Sequence, residues 1–330
     1  MTTLSAQSVQ STSSSIDDGR TVVPTPAGTG GTYPGAVRVL LAYDGSPQAD
    51  VARMLVAGLP WPGGTAVRLV GVVEPMPTDA ELPAEAYDAL LAAFRRELEE
   101  PLADAAASLA ERGLAVETAV LLGRPSSVIV DEAKRFEAGL IVVGSRGRGA
   151  LASTFLGSVA AEVIDQAPCP VLVARRPALR RIVFAEDGSE PARVVAQALS
   201  EWPALGGVPV HVVSVLPLRL EAAEDPTARH VAADPAYAVA VDRAREACQR
   251  LAHQTAARLG AAGLDAHYAV RSGDPAVEIL DAASEFDADL IAMGTRGRTG
   301  LERVLLGSVA RNVLHRATCS VLVARRPVRP

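Results

Sequence analysis

The chain has 330 residues, of which 49% are hydrophobic, 4% aromatic and 21% charged, with a formal net charge of -6. That is length for about two domains and apolar content for an ample Ala/Val/Leu core, which excludes a disordered polyampholyte. The acidic balance speaks against a general nucleic-acid binder, and no apolar run approaches the roughly 20 residues of a membrane span, so neither partner is expected.

Residues 1–35 are rich in Ser, Thr, Gly and Pro and read as a disordered tail. They lack a basic stretch followed by an apolar one, so a secretory signal is not expected. Gly28 to Gly31 follow no strand and are rejected as a nucleotide loop. From Val37 an apolar run ends in Asp44, Gly45 and Ser46. Ser46 followed by Pro47 fits the N-cap and N1 positions of a helix reaching about Leu59. A second strand, Ala66 to Glu74, leads into a long Ala-rich helix, roughly Ala84 to Arg112. Pro101 should kink that helix or start a new one, and Gly113 supplies its stop. A third strand follows, LAVETAVLLG, then a helix with Val128, Ile129, Ala133 and Phe136 at helical spacing. The strand LIVV, a glycine-rich junction, a short helix and the strand PVLVARRP close the unit.

The whole order then repeats. RIVFAEDGS carries Asp187 and Ser189, with Pro191 as a looser helix start, and the helix runs to about Trp202. PVHVVSVLP, a helix from Pro235 to Ala262 stopped by Gly263, LDAHYAVRSG, LIAM and SVLVARRP follow. Two β-α-β-α-β-α-β-α-β units, about residues 36–177 and 180–327, predict an α/β fold of two tandem parallel sheets with right-handed crossovers. Ligands on such sheets bind beyond the carboxyl ends of strands, where Asp44 meets Gly144 and Asp187 meets Gly294. The closing strands are short and apolar, and unpaired apolar edges are a liability. With only a short link around Pro177 to Arg180, the two edges are expected to pair within the chain as a pseudo-dimer, and a homodimer stays open.

The sharpest signal is one glycine spacing that occurs twice. Gly144, Gly147, Gly157 and Ser158 read Gly-x2-Gly-x9-Gly-Ser, and Gly294, Gly297, Gly307 and Ser308 repeat it. Glycines at a strand-to-helix junction admit positive φ and let backbone N–H groups approach an anion, which the helix N-terminus also favours. Two phosphate sites are therefore expected. Arg146, Arg148, Arg296 and Arg298 either screen a polyphosphate there or form a solvated basic loop. Asp44 and Asp187 are either ligand groups or turn formers.

These residues resemble the universal stress protein family, ATP-binding subgroup, in tandem form. The resemblance covers both units and leaves out only the tail. It implies a five-stranded sheet of order 3-2-1-4-5 in each unit, pairing through the last strand, and an adenine nucleotide as ligand: ATP, alone or with Mg2+. Carried onto this sequence, it puts Asp44 and Asp187 near adenosine, and Val72 and Val215, after the second strand, against adenine through backbone groups. Gly144, Gly147, Gly157, Ser158 and Val159 would cradle ribose and phosphates in the first unit. Gly294, Gly297, Gly307, Ser308 and Val309 would do so in the second. The units differ before the aspartate, with Tyr43 in one and Glu186 in the other. Glu186 either faces the pocket, where its charge is expected to weaken a polyanion, or points to solvent, where it makes no difference.

No catalytic set is expected. There is no GxxxxGK[ST], no Ser/His/Asp or Cys/His set recurs between units, and Lys134 is the only lysine. His211, His230, His253, His267 and His315 have no ligand spacing and read as fillers rather than metal ligands. Cys169, Cys248 and Cys319, without CxxC, form no disulfide frame or zinc site and fit a reducing cytoplasm. The expected function is a regulatory or protective stress protein governed by bound ATP. A weak nucleotide hydrolase or nucleotidyl transferase on a related sheet, and a dimerisation scaffold with empty pockets, are the alternatives.

Overall fold

The short apolar runs that end in Asp-Gly-Ser or in the glycine pattern form the buried centre of a sheet, as continuous hydrophobic strands of a parallel sheet must. The computed structural model describes residues 20–21, 36–75, 83–147, 156–202, 205–217, 235–295 and 306–325. Through the first unit run β1 (Arg20–Thr21), β2 (Arg38–Ala42), α1 (Pro47–Gly58), β3 (Ala66–Val73), α2 (Ala84–Ala110), β4 (Ala115–Leu122), α3 (Pro125–Arg135), β5 (Leu140–Gly144), α4 (Ser158–Gln166) and β6 (Val171–Ala174). The second unit has β7 (Ile182–Ala185), α5 (Glu190–Ser200), β8 (Pro209–Leu216), α6 (Pro235–Ala261), β9 (Asp265–Ser272), α7 (Pro275–Glu285), β10 (Leu290–Gly294), α8 (Ser308–Arg316) and β11 (Ser320–Ala324).

The described strands join one 11-stranded sheet in the order β1-β4-β3-β2-β5-β6-β11-β10-β7-β8-β9. Apart from β1, the order within each unit is 3-2-1-4-5 and neighbouring strands are parallel. The units meet where β6 pairs antiparallel with β11, Leu172 opposite Leu322. Side chains alternate across the sheet with the strand period of two. Val39 and Leu41 pack with α1, α2, α5 and α6 on one face, and Leu40 packs with α3, α4, α7 and α8 on the other.

Local chemistry sets the ends of the elements. Ser46 accepts from Ala49 N and Ser189 from Ala192 N, both at 3.2 Å, so the two first helices start alike. Ser46→Ala is expected to cost about 1 kcal/mol, the usual value of such a cap. A thermal melt unshifted by that change would refute the cap's contribution. Gly113 and Gly263 end the long helices with φ of +80° and +94°, which a side chain resists. The long helix of the first unit continues through Pro101 rather than restarting there. Leu98 and Leu102, buried on either side of it, hold both segments against the sheet. Of the stretch read as a disordered tail, only Arg20–Thr21 fall among the described residues, and they pair antiparallel with β4 at Ala119 and Thr118.

Candidate nucleotide site

In each unit the winding reverses between the first and fourth strands, and their carboxyl ends part to leave a crevice. Asp44, just past β2, and Gly144, the last residue of β5, stand at that end in the first unit. Asp187 and Gly294 do so in the second.

The aspartates do turn work and more. Asp44 Oδ1 accepts from Ser46 N at 3.0 Å and Asp187 Oδ1 from Ser189 N at 3.0 Å. The residues between them, Gly45 and Gly188, take φ of +74° and +78°, where glycine is favoured. A Cβ on Gly147 would stand only 2.7 Å from Asp44 Oδ2, so the second carboxylate oxygen lies directly against the glycine pattern.

The glycines of the pattern divide by task. A Cβ on Gly144 would come within 2.9 Å of the Gln48 carbonyl group, and one on Gly294 within 2.9 Å of Ala192 N. These two let the first helix of each unit pack on the fourth strand. Gly157 and Gly307 are the N-caps of α4 and α8, and neither helix has a side-chain cap. Their N–H groups donate to Ser145 O at 2.7 Å and Thr295 O at 2.9 Å, which fixes the caps against the strand ends. Their φ values are -74° and -66°. The backbone here is extended, and what glycine supplies is a bare approach to the first turn. Ser158 and Val159 are exposed in that turn, Ser308 is exposed, and Val309 is half-buried against the core.

Val72 and Val215 lie inside β3 and β8, one residue before their ends, rather than after them. They pair in register with Leu121 and Arg271. The third strand accompanies each of them to its end, so both residues remain within the ladder. Arg148, Arg296, Gly297 and Arg298 lie outside the described residues; Arg146 lies within them, and its carbonyl is 3.5 Å from the Ser46 hydroxyl. Sequence reasoning missed Ser145 and Thr295. Their identical place, directly after the fourth strand's glycine, was the available signal.

The residues before the aspartates point away from the crevice. The Tyr43 hydroxyl donates to Asp50 Oδ1 at 2.9 Å, and burial followed by that bond pushes the phenol up to about 12. Glu186 is 2% exposed and is directed to the α6 side. Its Oε1 accepts from Gly188 N and its Oε2 from Thr255 Oγ1, both at 2.8 Å. Glu186 thus faces neither the pocket nor solvent: Phe184 and Glu186 share one side of the strand, opposite to Ala185. Burial raises the Glu186 carboxyl above its ordinary range. The folded chain then holds this proton to higher pH than the unfolded chain. Its stabilising contribution is full below the ordinary carboxylate range and is lost as pH rises through the raised value. Glu186→Gln keeps both hydrogen bonds and cannot ionise, so it is expected to flatten that loss of stability and leave nucleotide affinity unchanged. Denaturation midpoints measured across the pH range check this; a wild-type pH slope in the variant would refute it.

Among the described residues no group of three or more His, Cys, Asp and Glu side chains could hold a metal ion. A single carboxylate such as Asp44 suits a metal held mainly by phosphate oxygens and water.

Fold and crevice together define a tandem, doubly wound α/β protein whose two halves each end a central strand in Asp-Gly-Ser and a neighbour in a glycine pattern. The sequence profile described as Universal stress protein family matches residues 37–175 and again 178–325, and the chain belongs to that family. It is 38% identical over 138 residues to the Thermus aquaticus universal stress protein in QAH/OAS sulfhydrylase 3'region, covering 42% of this chain and 97% of that one. It is 26% identical over 305 residues to a universal stress protein of Mycolicibacterium smegmatis, covering 87% and 96%. A solved universal stress protein from Archaeoglobus fulgidus superposes with a TM-score of 0.61 at 21% identity, over 88% of this chain and 98% of that one.

Proposed function

We propose that each half binds one adenine nucleotide, ATP alone or with Mg2+, and that the bound nucleotide sets the state of the protein in a regulatory or protective stress response. The observation that carries this reading is the pairing of a bare helix start with an opposed carboxylate. α4 and α8 begin at glycines with no side-chain cap, and in the first half Asp44 Oδ2 lies against Gly147 of the same glycine pattern. Uncapped N–H groups and the helix dipole suit phosphate oxygens. A carboxylate oxygen beside the glycine pattern suits the hydroxyls or amino group of a nucleoside. Val72 and Val215 offer backbone groups near the end of the neighbouring strand for the base.

The same residues give no reason to propose catalysis. No described side chain stands as a general base with a second group orienting it in the crevice. The protein is proposed to act in the cytoplasm, in keeping with three free cysteines. Among the described residues no helix is long and apolar enough to cross a membrane.

Calorimetry of the full chain with ATP, paired with a phosphate-release assay, tests the reading. Two binding events per chain without turnover are expected. Absence of binding overturns it in favour of a scaffold, and multiple turnovers overturn it in favour of a hydrolase.

A further inference from the structure

The two halves differ at the amino ends of their strands, opposite the crevices. In the second half that place is filled. Asp289, which begins the approach to β10, accepts from Arg180 N at 3.0 Å. Leu179 packs against the core, and the Pro177 carbonyl lies 3.7 Å from where a Cβ on Gly58 would be. The linker and two side chains therefore occupy the space. In the first half the equivalent residues are Ala36 and Gly139, an equivalence shown by matching bonds: Gly139 N to Arg38 O at 2.8 Å and Asp289 N to Arg181 O at 2.9 Å. Both filling side chains are lost, and a cavity of about 590 Å³ opens at the seam between the halves.

Its walls are apolar: Val37, Leu140 and Pro170 from the first half, with Ala198, Trp202 and Leu322 from the second. Arg38, Glu137 and Glu201 complete the lining. Arg38 is committed to Glu137 at 2.5 Å, so the pair nearly cancels and Glu201 leaves the rim net negative. A cavity of this size at a domain seam, apolar with a few charged groups, has the makeup of a small-molecule site. The Trp202 indole, 7% exposed, adds an aromatic wall that attracts cations.

We propose that this seam cavity binds an amphipathic primary amine, with its apolar ring or chain on the Val37–Leu140–Trp202 wall and its ammonium group at Glu201. The site is separate from the crevices and does not depend on the nucleotide reading.

4-(Trifluoromethyl)benzylamine is a suitable probe, observed by fluorine NMR line broadening, with quenching of tryptophan fluorescence as a second readout. The wild-type chain is expected to bind it, and to bind the uncharged 4-(trifluoromethyl)benzyl alcohol about tenfold more weakly for want of the ion pair. Gly139→Leu should abolish binding by filling the cavity; its Cβ meets nothing closer than 3.8 Å, so the fold tolerates it. Glu201 is exposed, so Glu201→Arg leaves the fold intact and should weaken the amine while sparing the alcohol. Circular dichroism verifies folding, and if Gly139→Leu does not fold, Glu201→Arg decides. No binding of the amine at millimolar concentration, equal affinity for the alcohol, or wild-type affinity in a folded variant would each overturn the proposal.

Discussion

Leu322→Asp is expected to lower the unfolding free energy of the chain by about 4 kcal/mol or more, among the largest effects a single change can have. Leu322 is 1% exposed and pairs with Leu172, itself fully buried, at the middle of the join between β6 and β11. Both side chains belong to the layer under α1 and α5, so the helices of both halves cover them. The backbone ladder needs no side chain and survives the change. What is lost is apolar burial, and what is added is a carboxylate set into an apolar layer. Leu122→Asp is the matching control: that side chain is 56% exposed at the end of β4, and its replacement should cost no more than about 0.5 kcal/mol. Denaturant titrations of the two variants check this, and equal midpoints would show that the seam contributes little.

The Gly157→Val, Gly307→Val double variant is expected to lose at least about a hundredfold in ATP affinity, roughly 2.7 kcal/mol. Both positions have extended backbone that valine adopts readily, with ψ of 154° and 155°. A Cβ on Gly157 would meet Arg146 Cα at 3.3 Å, which asks for a shift of a few tenths of an ångström. The fold should therefore persist while an isopropyl group covers the start of each helix, where the phosphates are proposed to sit. Gly144→Val would be a poor substitute, because its Cβ collides with the α1 backbone and would disturb packing before binding. Calorimetry with ATP reads the outcome, with circular dichroism to confirm folding. Wild-type affinity in a folded double variant would end the assignment of these helix starts.

Much of the fold was legible because each signal was local. Apolar runs closed by Asp-Gly-Ser, alternating with helical spacing, specify a parallel sheet, and Ser46 and Ser189 mark helix starts by their own hydrogen bonds. The glycine pattern was legible as a junction, yet its members serve two physical ends that spacing cannot separate. Gly144 admits a helix backbone and Gly157 leaves a helix start bare. The burial of Glu186 was not legible, because its partner, Thr255, comes from α6, far along the chain. A stricter use of the period of two, from Phe184 to Glu186, would have sent it to that side. Pro101 does not restart the helix: a ring costs one backbone bond, while Leu98, Leu102, Ala105 and Ala106 together bury far more apolar surface.

Because β6 and β11 belong to one chain, their pairing is unimolecular. The short connection between Ala174 and Ile182 holds each edge at a high effective concentration near the other. Dilution then cannot separate the halves, and a ligand cannot act by recruiting one half to the other. The tether also lifts the constraint of symmetry. In a dimer of identical subunits every substitution appears twice, on both sides of the axis. Here one half keeps Tyr43 and Gly139 while the other carries Glu186 and Asp289. Each half is free to drift toward its own ligand and its own pH response without disturbing its twin.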